Sequence, residues 1–221
     1  MKFSAVAFDL DGTLYPNYRF YFRLIPFLLR EQRFLRAMGK ARAQLRQNED
    51  YGGDFYETQA GIMGIILGEN TEDVRKKTER LIYRGWEPIF KKVKLFPYVR
   101  ETLDVLKKAG IKLGLLSDFP PEEKIKNLGI HGFWDTVLCS ELTGRLKPDP
   151  APFLELAVRM EMPPGQILYV GNSIPYDVEG AQKAGMKAAL VCSGWKKILH
   201  VPPHSDFCFS DYRQLCNFVL N

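Results

Sequence analysis

The sequence is poor in the side chains that most often bind transition metals. Its 221 residues include four cysteines and three histidines, and no two cysteines form a CxxC pair. No histidine stands at ligand spacing beside a cysteine, which argues against a zinc site. The pattern is typical of reduced, buried thiols in a cytoplasmic protein, and we expect no catalytic role for the histidines. The cysteines are Cys139, Cys192, Cys208 and Cys216.

Long apolar runs are also missing. The most lipid-like stretch, FYFRLIPFLL from Phe20, is about half the length of a membrane span and contains Arg23 and Pro26. We predict a buried helix there and no membrane partner. The first residues do not combine a charged segment with an apolar run, so we expect no signal peptide and a cytoplasmic location.

The net charge of +5 is unevenly distributed along the chain. Residues 16–95 contain 16 Lys and Arg against 10 Asp and Glu, whereas the remainder contains 15 against 16. A basic segment beside a nearly neutral body favours an anionic partner. Because there is no nucleic-acid-binding motif and no dense basic run, we expect that partner not to be DNA or RNA.

Two kinds of periodicity divide the chain. A short apolar strand, KFSAVAF, comes first, and residues 16–95 then carry helical patterns without a strand pattern. From residue 96 onward, strands and helices alternate. This alternation of strands and helices predicts an α/β fold. Residues 1–15 and 96–221 would form a doubly wound, Rossmann-like, mainly parallel sheet with helices. Residues 16–95 would form an inserted, all-helical domain.

Two aspartates follow the first predicted strand. The stretch FDLDGTLY, residues 8–15, ends its apolar run with Asp9 and Asp11 and turns at Gly12 and Thr13. Residues two apart in an extended chain point to the same side, so both carboxylates should face one space beyond the strand. Parallel sheets of this kind place their chemistry at the carboxyl ends of strands.

Other polar residues follow later predicted strands. Ser117 ends LGLLS, Asn172 ends QILYVGN with Asp177 five residues further, and Lys147 lies in the loop GRLKPDP. Carboxylates gathered at one sheet edge repel one another unless a cation joins them. Carboxylate and amide oxygens are hard ligands that suit Mg²⁺. Hydroxyls and an ammonium beside that cation could then hold a phosphate.

With a phosphate in place, the two aspartates can take two different catalytic roles. One carboxylate can attack phosphorus and form an aspartyl-phosphate. A second can protonate the leaving alkoxide and then accept a proton from water. Since Asp9 ends the strand, we predict that it is the nucleophile and that Asp11 is the acid and base.

These residues together resemble the haloacid dehalogenase superfamily of phosphatases. DLDGT is similar to its first motif, Ser117 to its second, Lys147 in LKPDP to its third, and GNSIPYDVEGAQKAGM to its fourth. The resemblance implies a Mg²⁺-dependent hydrolase of small phosphorylated metabolites. It also implies that residues 16–95 are a mobile helical cap that closes over the site and selects the substrate.

The resemblance further implies a role for each matching residue. Asp9 would be the nucleophile and a metal ligand, and Asp11 would be the acid and base and bind the metal through its backbone carbonyl. Thr13 and Ser117 would hold the phosphate, and Lys147 would neutralise charge on the nucleophile and phosphate. The fourth motif, with Asn172 and Asp177, would complete the metal site.

The sequence departs from the family pattern at two positions. The fourth motif commonly reads Gly-Asp, whereas here Asn172 follows Gly171, so either Asn172 or Asp177 is the direct metal ligand. Asp118 stands after Ser117, where Asn is common. It could turn away, bind a cationic substrate group or cap the next helix, and we favour capping because Asp is a preferred helix cap.

Several functions are compatible with this site. The dehalogenases of the superfamily lack the second acid of the first motif, so Asp11 favours phosphoryl chemistry. The alternatives are a phosphomutase of the same family and a catalytically weak binding or regulatory member, which Asn172 would favour. Two arginines close to the first motif, Arg19 or Arg23, could reach the substrate from the helical segment.

Overall fold

A computed structural model of the chain describes residues 2–47, 53–192 and 205–221. In these ranges six strands form one sheet with the order β3-β2-β1-β4-β5-β6, and every neighbouring pair is parallel. This confirms the predicted doubly wound sheet, and its order reverses beside β1. The strands are β1 (Ala5–Phe8), β2 (Lys112–Ser117), β3 (Thr136–Cys139), β4 (Ile167–Gly171), β5 (Lys187–Val191) and β6 (Phe207–Phe209).

Strand β1 lies at the centre of the sheet because both of its faces are apolar. All four residues of β1 are buried, with Ala5 and Ala7 on one side of the sheet and Val6 and Phe8 on the other. A strand covered on both faces is typical of a parallel sheet between two helical layers. The polar residues that follow β1 therefore lie at the middle of the sheet edge.

Helices are the regular elements in the described part of residues 16–95. They contain their own apolar cluster, which includes Phe34, Met38, Met63 and Val74. This separate cluster supports the predicted helical domain, whose boundaries stay a prediction. The helices are α1 (Asn17–Arg30), α2 (Gln32–Gln47), α3 (Phe55–Leu67), α4 (Thr71–Thr78), a π-helical turn (Glu79–Tyr83) and α5 (Glu87–Phe90).

Among the described residues, five further α-helices cover the sheet. Apolar residues of α6, α7 and α10 pack on one face, and those of α8 and α9 pack on the other. The first helix of the inserted segment, α1, joins the first of these layers through Phe20 and Leu24. The sheet-covering helices are α6 (Val99–Lys108), α7 (Glu122–Asn127), α8 (Pro150–Arg159), α9 (Glu179–Lys183) and α10 (Tyr212–Leu220).

The prediction that all the cysteines are reduced is wrong for two of them. Cys192 and Cys208 form a disulfide, whereas Cys139 and Cys216 are free thiols. Strand β6 lies beside β5, and the N–H of Cys192 donates to the carbonyl of Phe209. This pairing brings the two sulfurs together, and it depends on a strand order that cysteine spacing does not reveal. Of the described helices, none has the length and apolarity that a membrane crossing needs.

Candidate active site

The carboxyl ends of the three central strands bring the predicted polar residues together. Asp9 follows β1, Ser117 ends β2, and Asn172 follows β4. The N–H of Asp9 donates to the carbonyl of Val170 at 2.9 Å, which fixes the end of β1 against β4. The sheet order therefore places residues from three distant parts of the sequence at one edge.

A buried ammonium lies between two carboxylates. Lys147 Nζ is 2.7 Å from Asp9 Oδ1 and 2.7 Å from Asp177 Oδ1, and it is 3.3 Å from the Tyr169 hydroxyl. The side chains of Lys147, Asp9 and Asp177 are 4%, 8% and 2% exposed. Because water is almost excluded, these charges interact far more strongly than a surface pair would.

This burial shifts the protonation equilibria of the cluster. Burial raises the pKa of Asp9 to about 7, since Lys147 only partly offsets the loss of water and Asp177 adds repulsion. Burial alone would lower the pKa of Lys147, but the attraction of Asp177 and Asp9 outweighs it and raises that pKa well above its usual value. Lys147 is therefore a cation at neutral pH, and the charge of Asp9 is incompletely compensated by the protein.

Asp177 anchors the loop after β4. Its Oδ1 accepts from Lys147, and its Oδ2 accepts from the backbone N–H groups of Asn172 and Ser173, both at 3.0 Å. A Cβ at Gly171 would collide with Asp177, which explains the glycine at this position. Both oxygens of Asp177 are thus engaged in holding Lys147 and the backbone that carries Asn172.

Thr13 and Asn172 lie on the other side of Asp9. Thr13 Oγ1 donates to Asp9 Oδ2 at 2.7 Å and is 3.5 Å from Asn172 Oδ1. The turn between Asp9 and Thr13 needs glycine, because Gly12 has φ +90° and a Cβ there would strike the Asn172 amide. Ser117, at the end of the adjacent strand β2, is fully buried. Its Oγ accepts from the N–H of Phe119 at 3.2 Å.

Asp11 has surroundings different from those of Asp9. Its Oδ1 accepts from the Tyr15 hydroxyl and its Oδ2 accepts from Lys124 Nζ at 2.7 Å. Its side chain is 29% exposed, whereas that of Asp9 is 8% exposed. Asp11 is therefore held at the open side of the site, with access to solvent.

Known proteins share this sequence pattern and fold. The model of the haloacid dehalogenase-like hydrolases matches residues 3–185. The chain belongs to this family. It is 32% identical to a glyceraldehyde 3-phosphate phosphatase of Methanocaldococcus jannaschii over 99% of this chain and 97% of that protein. It is 27% identical to a phosphoglycolate phosphatase of Nitrosospira multiformis over 89% of this chain and 86% of that protein.

Two solved structures of the family share the fold. A HAD phosphatase from Thermococcus onnurineus superposes with a TM-score of 0.67 at 22% identity, covering 98% of both chains. A 2-haloacid dehalogenase from Pseudomonas syringae pv. Tomato superposes with a TM-score of 0.65 at 25% identity, covering 99% of this chain and 98% of that one. These two matches show the fold, whereas the family model and the phosphatase relatives show that this protein is a hydrolase of the phosphatase type.

The donor set of the haloacid dehalogenase-like site fits a hard cation. Within the described residues, no three His, Cys, Asp or Glu side chains are grouped as a metal site. One carboxylate oxygen, that of Asp9, and the amide oxygen of Asn172 both lie within 3.5 Å of the Thr13 hydroxyl oxygen. Mg²⁺ in proteins commonly takes one or two carboxylates and completes its shell with water and substrate phosphate, so this sparse oxygen set suits it.

The prediction that Asp118 caps the next helix is wrong. Asp118 Oδ1 accepts from the Ser140 hydroxyl at 2.6 Å and from the N–H of Lys147 at 3.2 Å. Its Oδ2 accepts from Arg46 at 2.8 Å, and α7 begins later, after Pro121, without a side-chain cap. Burial alone would raise the pKa of Asp118, but the attraction of Lys147, Arg42 and Arg46 outweighs it and lowers that pKa.

Two arginines of α2, which the sequence analysis missed, connect the helical segment to loops of the candidate site. Arg42 pairs with the buried carboxylate of Glu141 and donates to the carbonyl of Asp118 at 2.8 Å. Arg46 donates to the carbonyl of Lys147 at 2.9 Å. Arg42 stands among the buried residues of an amphipathic helix, and a charge in such a stripe is the signal that could have revealed a buried partner.

The arginines that the sequence analysis singled out make local contacts on α1. Arg19 Nε donates to the Tyr18 hydroxyl at 3.3 Å, and Arg23 Nη1 donates to the carbonyl of Arg19 at 2.6 Å. Their contact with a substrate stays a prediction. Proximity in sequence to the first motif did not identify α2, the helix whose arginines contact Asp118 and Lys147.

Replacing Arg42 with Met is expected to lower the free energy of unfolding by about 3–5 kcal/mol, because Glu141 would be left buried without its cation. Urea denaturation measures this change. The matched control is Arg36→Met on the same helix, where the side chain is exposed and the expected change is about 0.5 kcal/mol or less. Equal effects of the two substitutions would contradict a buried ion pair between α2 and the core.

Proposed function

We propose that this hydrolase is a Mg²⁺-dependent phosphatase that cleaves a small phosphomonoester through an aspartyl-phosphate on Asp9. The observation that carries the proposal is the setting of Asp9, with a buried ammonium on one oxygen and the Thr13 hydroxyl on the other. Such a carboxylate is oriented and screened for attack on an anion. Phosphatases among the relatives support the same reaction class.

Asp9 attacks phosphorus and takes the phosphoryl group from the ester oxygen. Lys147 and Thr13 fix the attacking carboxylate and would donate to phosphate oxygens, and Ser117 adds a third donor. Because Lys147 is held by Asp177 as well as Asp9, its ammonium keeps its place when the charge of Asp9 is lost. Water then attacks the aspartyl-phosphate and releases inorganic phosphate.

Asp11 serves as acid in the first step and base in the second. The proton of its carboxyl goes to the departing alkoxide, and the resulting carboxylate accepts a proton from the attacking water. Tyr15 and Lys124 hold the side chain at the open side of the site, where the leaving group departs. Cleavage of a carbon–halogen bond releases a halide that needs no such acid, so Asp11 favours the phosphatase over a dehalogenase.

Asp9, the backbone carbonyl of Asp11 and the amide oxygen of Asn172 would hold the Mg²⁺. When bound, the cation would offset phosphate charge and favour the ionised form of Asp9, which burial disfavours. Asp177 would position Lys147 and Asn172 without binding the metal itself, because its Oδ1 already accepts from Lys147 and its Oδ2 from the N–H of Asn172. Of the two alternatives left open by the sequence, this geometry favours Asn172 as the direct ligand.

Adding a charge at position 172 should strengthen metal binding. We expect Asn172→Asp to lower the Mg²⁺ concentration for half-maximal activity by about tenfold, because a carboxylate attracts the cation more than an amide does. Calorimetry of Mg²⁺ binding measures the same change directly. Asn70→Asp, at an exposed helix cap, is the control. Weaker or unchanged binding in the Asn172 variant would contradict the assignment.

The test of the function is hydrolysis of p-nitrophenyl phosphate by the purified protein. We expect steady release of inorganic phosphate that EDTA abolishes and Mg²⁺ restores. A phosphomutase would instead retain the phosphoryl group on its substrate, and a binding or regulatory protein would be inactive. Because Asp9 is held by both Lys147 and Thr13, we favour an active enzyme that acts on a small phosphorylated metabolite. Its cytoplasmic location stays a prediction.

A further inference from the structure

A cavity lies between the helical segment and the core beside the candidate site. Its volume is about 290 Å³. For comparison, an apolar cavity of about 150 Å³ takes up benzene. Aromatic rings form much of its wall, with residues contributed by the helical segment and by the loop that follows β2. These rings are Tyr56, Tyr83, Trp86, Phe90 and Phe119.

Two lining residues connect this cavity directly to the site. Lys124 lines it and donates to Asp11, the proposed acid for the leaving group, at 2.7 Å. Phe119 lines it and donates its N–H to Ser117, a proposed phosphate ligand. The ammonium of Lys124 is 5.3 Å from the ring centres of both Phe90 and Phe119. The part of a substrate beyond its ester oxygen would therefore enter this cavity.

The charges around the cavity favour one kind of leaving group. Four glutamates line it, against Arg84 and Lys124. Arg84 is 2.9 Å from Glu79 and 3.9 Å from Glu87, and Lys124 is paired with Asp11, so both cations are already engaged. Glu123 also pairs with Lys126 at 3.5 Å, but the carboxylates that line the cavity still outnumber the cations that line it, so an anionic group would meet net repulsion here. The four glutamates are Glu79, Glu87, Glu122 and Glu123.

We infer that the cavity selects phosphomonoesters whose leaving group carries an aromatic ring and no negative charge. This inference rests on the proposed function and goes beyond it by naming the substrate class. Rings would stack on the aromatic wall, and a cationic substituent would be favoured by the glutamates. Carboxylated esters such as phosphoglycolate would be poor substrates, in contrast to what the name of one relative states for that protein.

Three esters with primary alkoxide leaving groups test this selectivity: benzyl phosphate, 4-carboxybenzyl phosphate and phosphoglycolate. We expect kcat/KM for benzyl phosphate to exceed that for each of the other two by about tenfold or more. Equal or higher values for phosphoglycolate would overturn the inference and leave the phosphatase function intact. Absence of Asp9-dependent hydrolysis of all three would overturn both.

A charge-neutralising variant tests the role of the glutamates without altering the rings. In Glu122→Gln/Glu123→Gln, kcat/KM for 4-carboxybenzyl phosphate should rise at least threefold relative to that for benzyl phosphate, a change of about 0.6 kcal/mol. Glu101→Gln, an exposed acid in the first turn of α6, should leave the ratio unchanged. An unchanged ratio in the double variant, or the same rise in the control, would contradict electrostatic selection at this cavity.

Discussion

Replacing Asp9 with Asn is expected to lower kcat for phosphoester hydrolysis by at least about a thousandfold, as loss of a covalent nucleophile does in other enzymes. The amide has nearly the shape of the carboxylate but cannot form an acyl phosphate. The remaining site would still bind substrate through Lys147, Thr13 and Ser117, so we expect KM to change far less than kcat. Steady-state kinetics with p-nitrophenyl phosphate measures both.

The Asp9 variant should stay folded, because Lys147 keeps its 2.7 Å contact with Asp177. Circular dichroism and urea denaturation check this. Asp104→Asn is the control, since Asp104 pairs with Lys108 on the surface and takes no part in the proposed chemistry. A variant of Asp9 that keeps more than about a tenth of the wild-type kcat would contradict its role as nucleophile.

Replacing Lys147 with Met should damage both activity and stability. The substitution leaves Asp9 and Asp177 buried without their shared cation, which should lower the free energy of unfolding by about 3–5 kcal/mol. Lys108→Met removes an exposed pair and should cost about 1 kcal/mol or less. Comparable losses of unfolding free energy in the two variants would show that the buried cluster stabilises the fold no more than a surface ion pair does.

The pH dependence of the Lys147 variant has a definite sign. Two buried carboxylates without a cation would have folded-state pKa values above their unfolded values. The protonated forms then favour the folded state, so the added instability is smallest at acid pH and grows as pH rises through the folded-state pKa. Urea denaturation midpoints of the Lys147 variant and the wild type, measured from acid to neutral pH, test this trend. A loss of stability that shrinks with rising pH would contradict it.

The sheet and the convergence of the site could be predicted because both depend on local patterns and on one topological rule. Alternating strands and helices imply a parallel sheet, and polar residues after its strands must meet at one edge. Asp9, Lys147 and Asp177 came together for that reason. The rule needs no knowledge of how the inserted helices pack.

The contacts that the sequence did not reveal join elements that are distant in the chain. Arg46 reaches Asp118 across 72 positions, and Lys124 reaches Asp11 across 113. Asp118 has the residue type and location of a helix cap, but its actual partners come from α2 and two other loops. The local preference of Asp118 for capping a helix is therefore outweighed by ion pairing and hydrogen bonds with residues distant in the chain. The disulfide likewise depends on the order of β5 and β6.

The central claim is that Asp9 forms a covalent phosphoryl intermediate at a Mg²⁺ site, and trapping that intermediate tests it most directly. Turnover with Mg²⁺ and p-nitrophenyl phosphate is quenched rapidly in acid, and the acyl phosphate is reduced with borohydride. Mass spectrometry of the peptides should then find homoserine at position 9, dependent on substrate and on Mg²⁺. An active enzyme that shows the modification at another residue, or at none, would contradict the account.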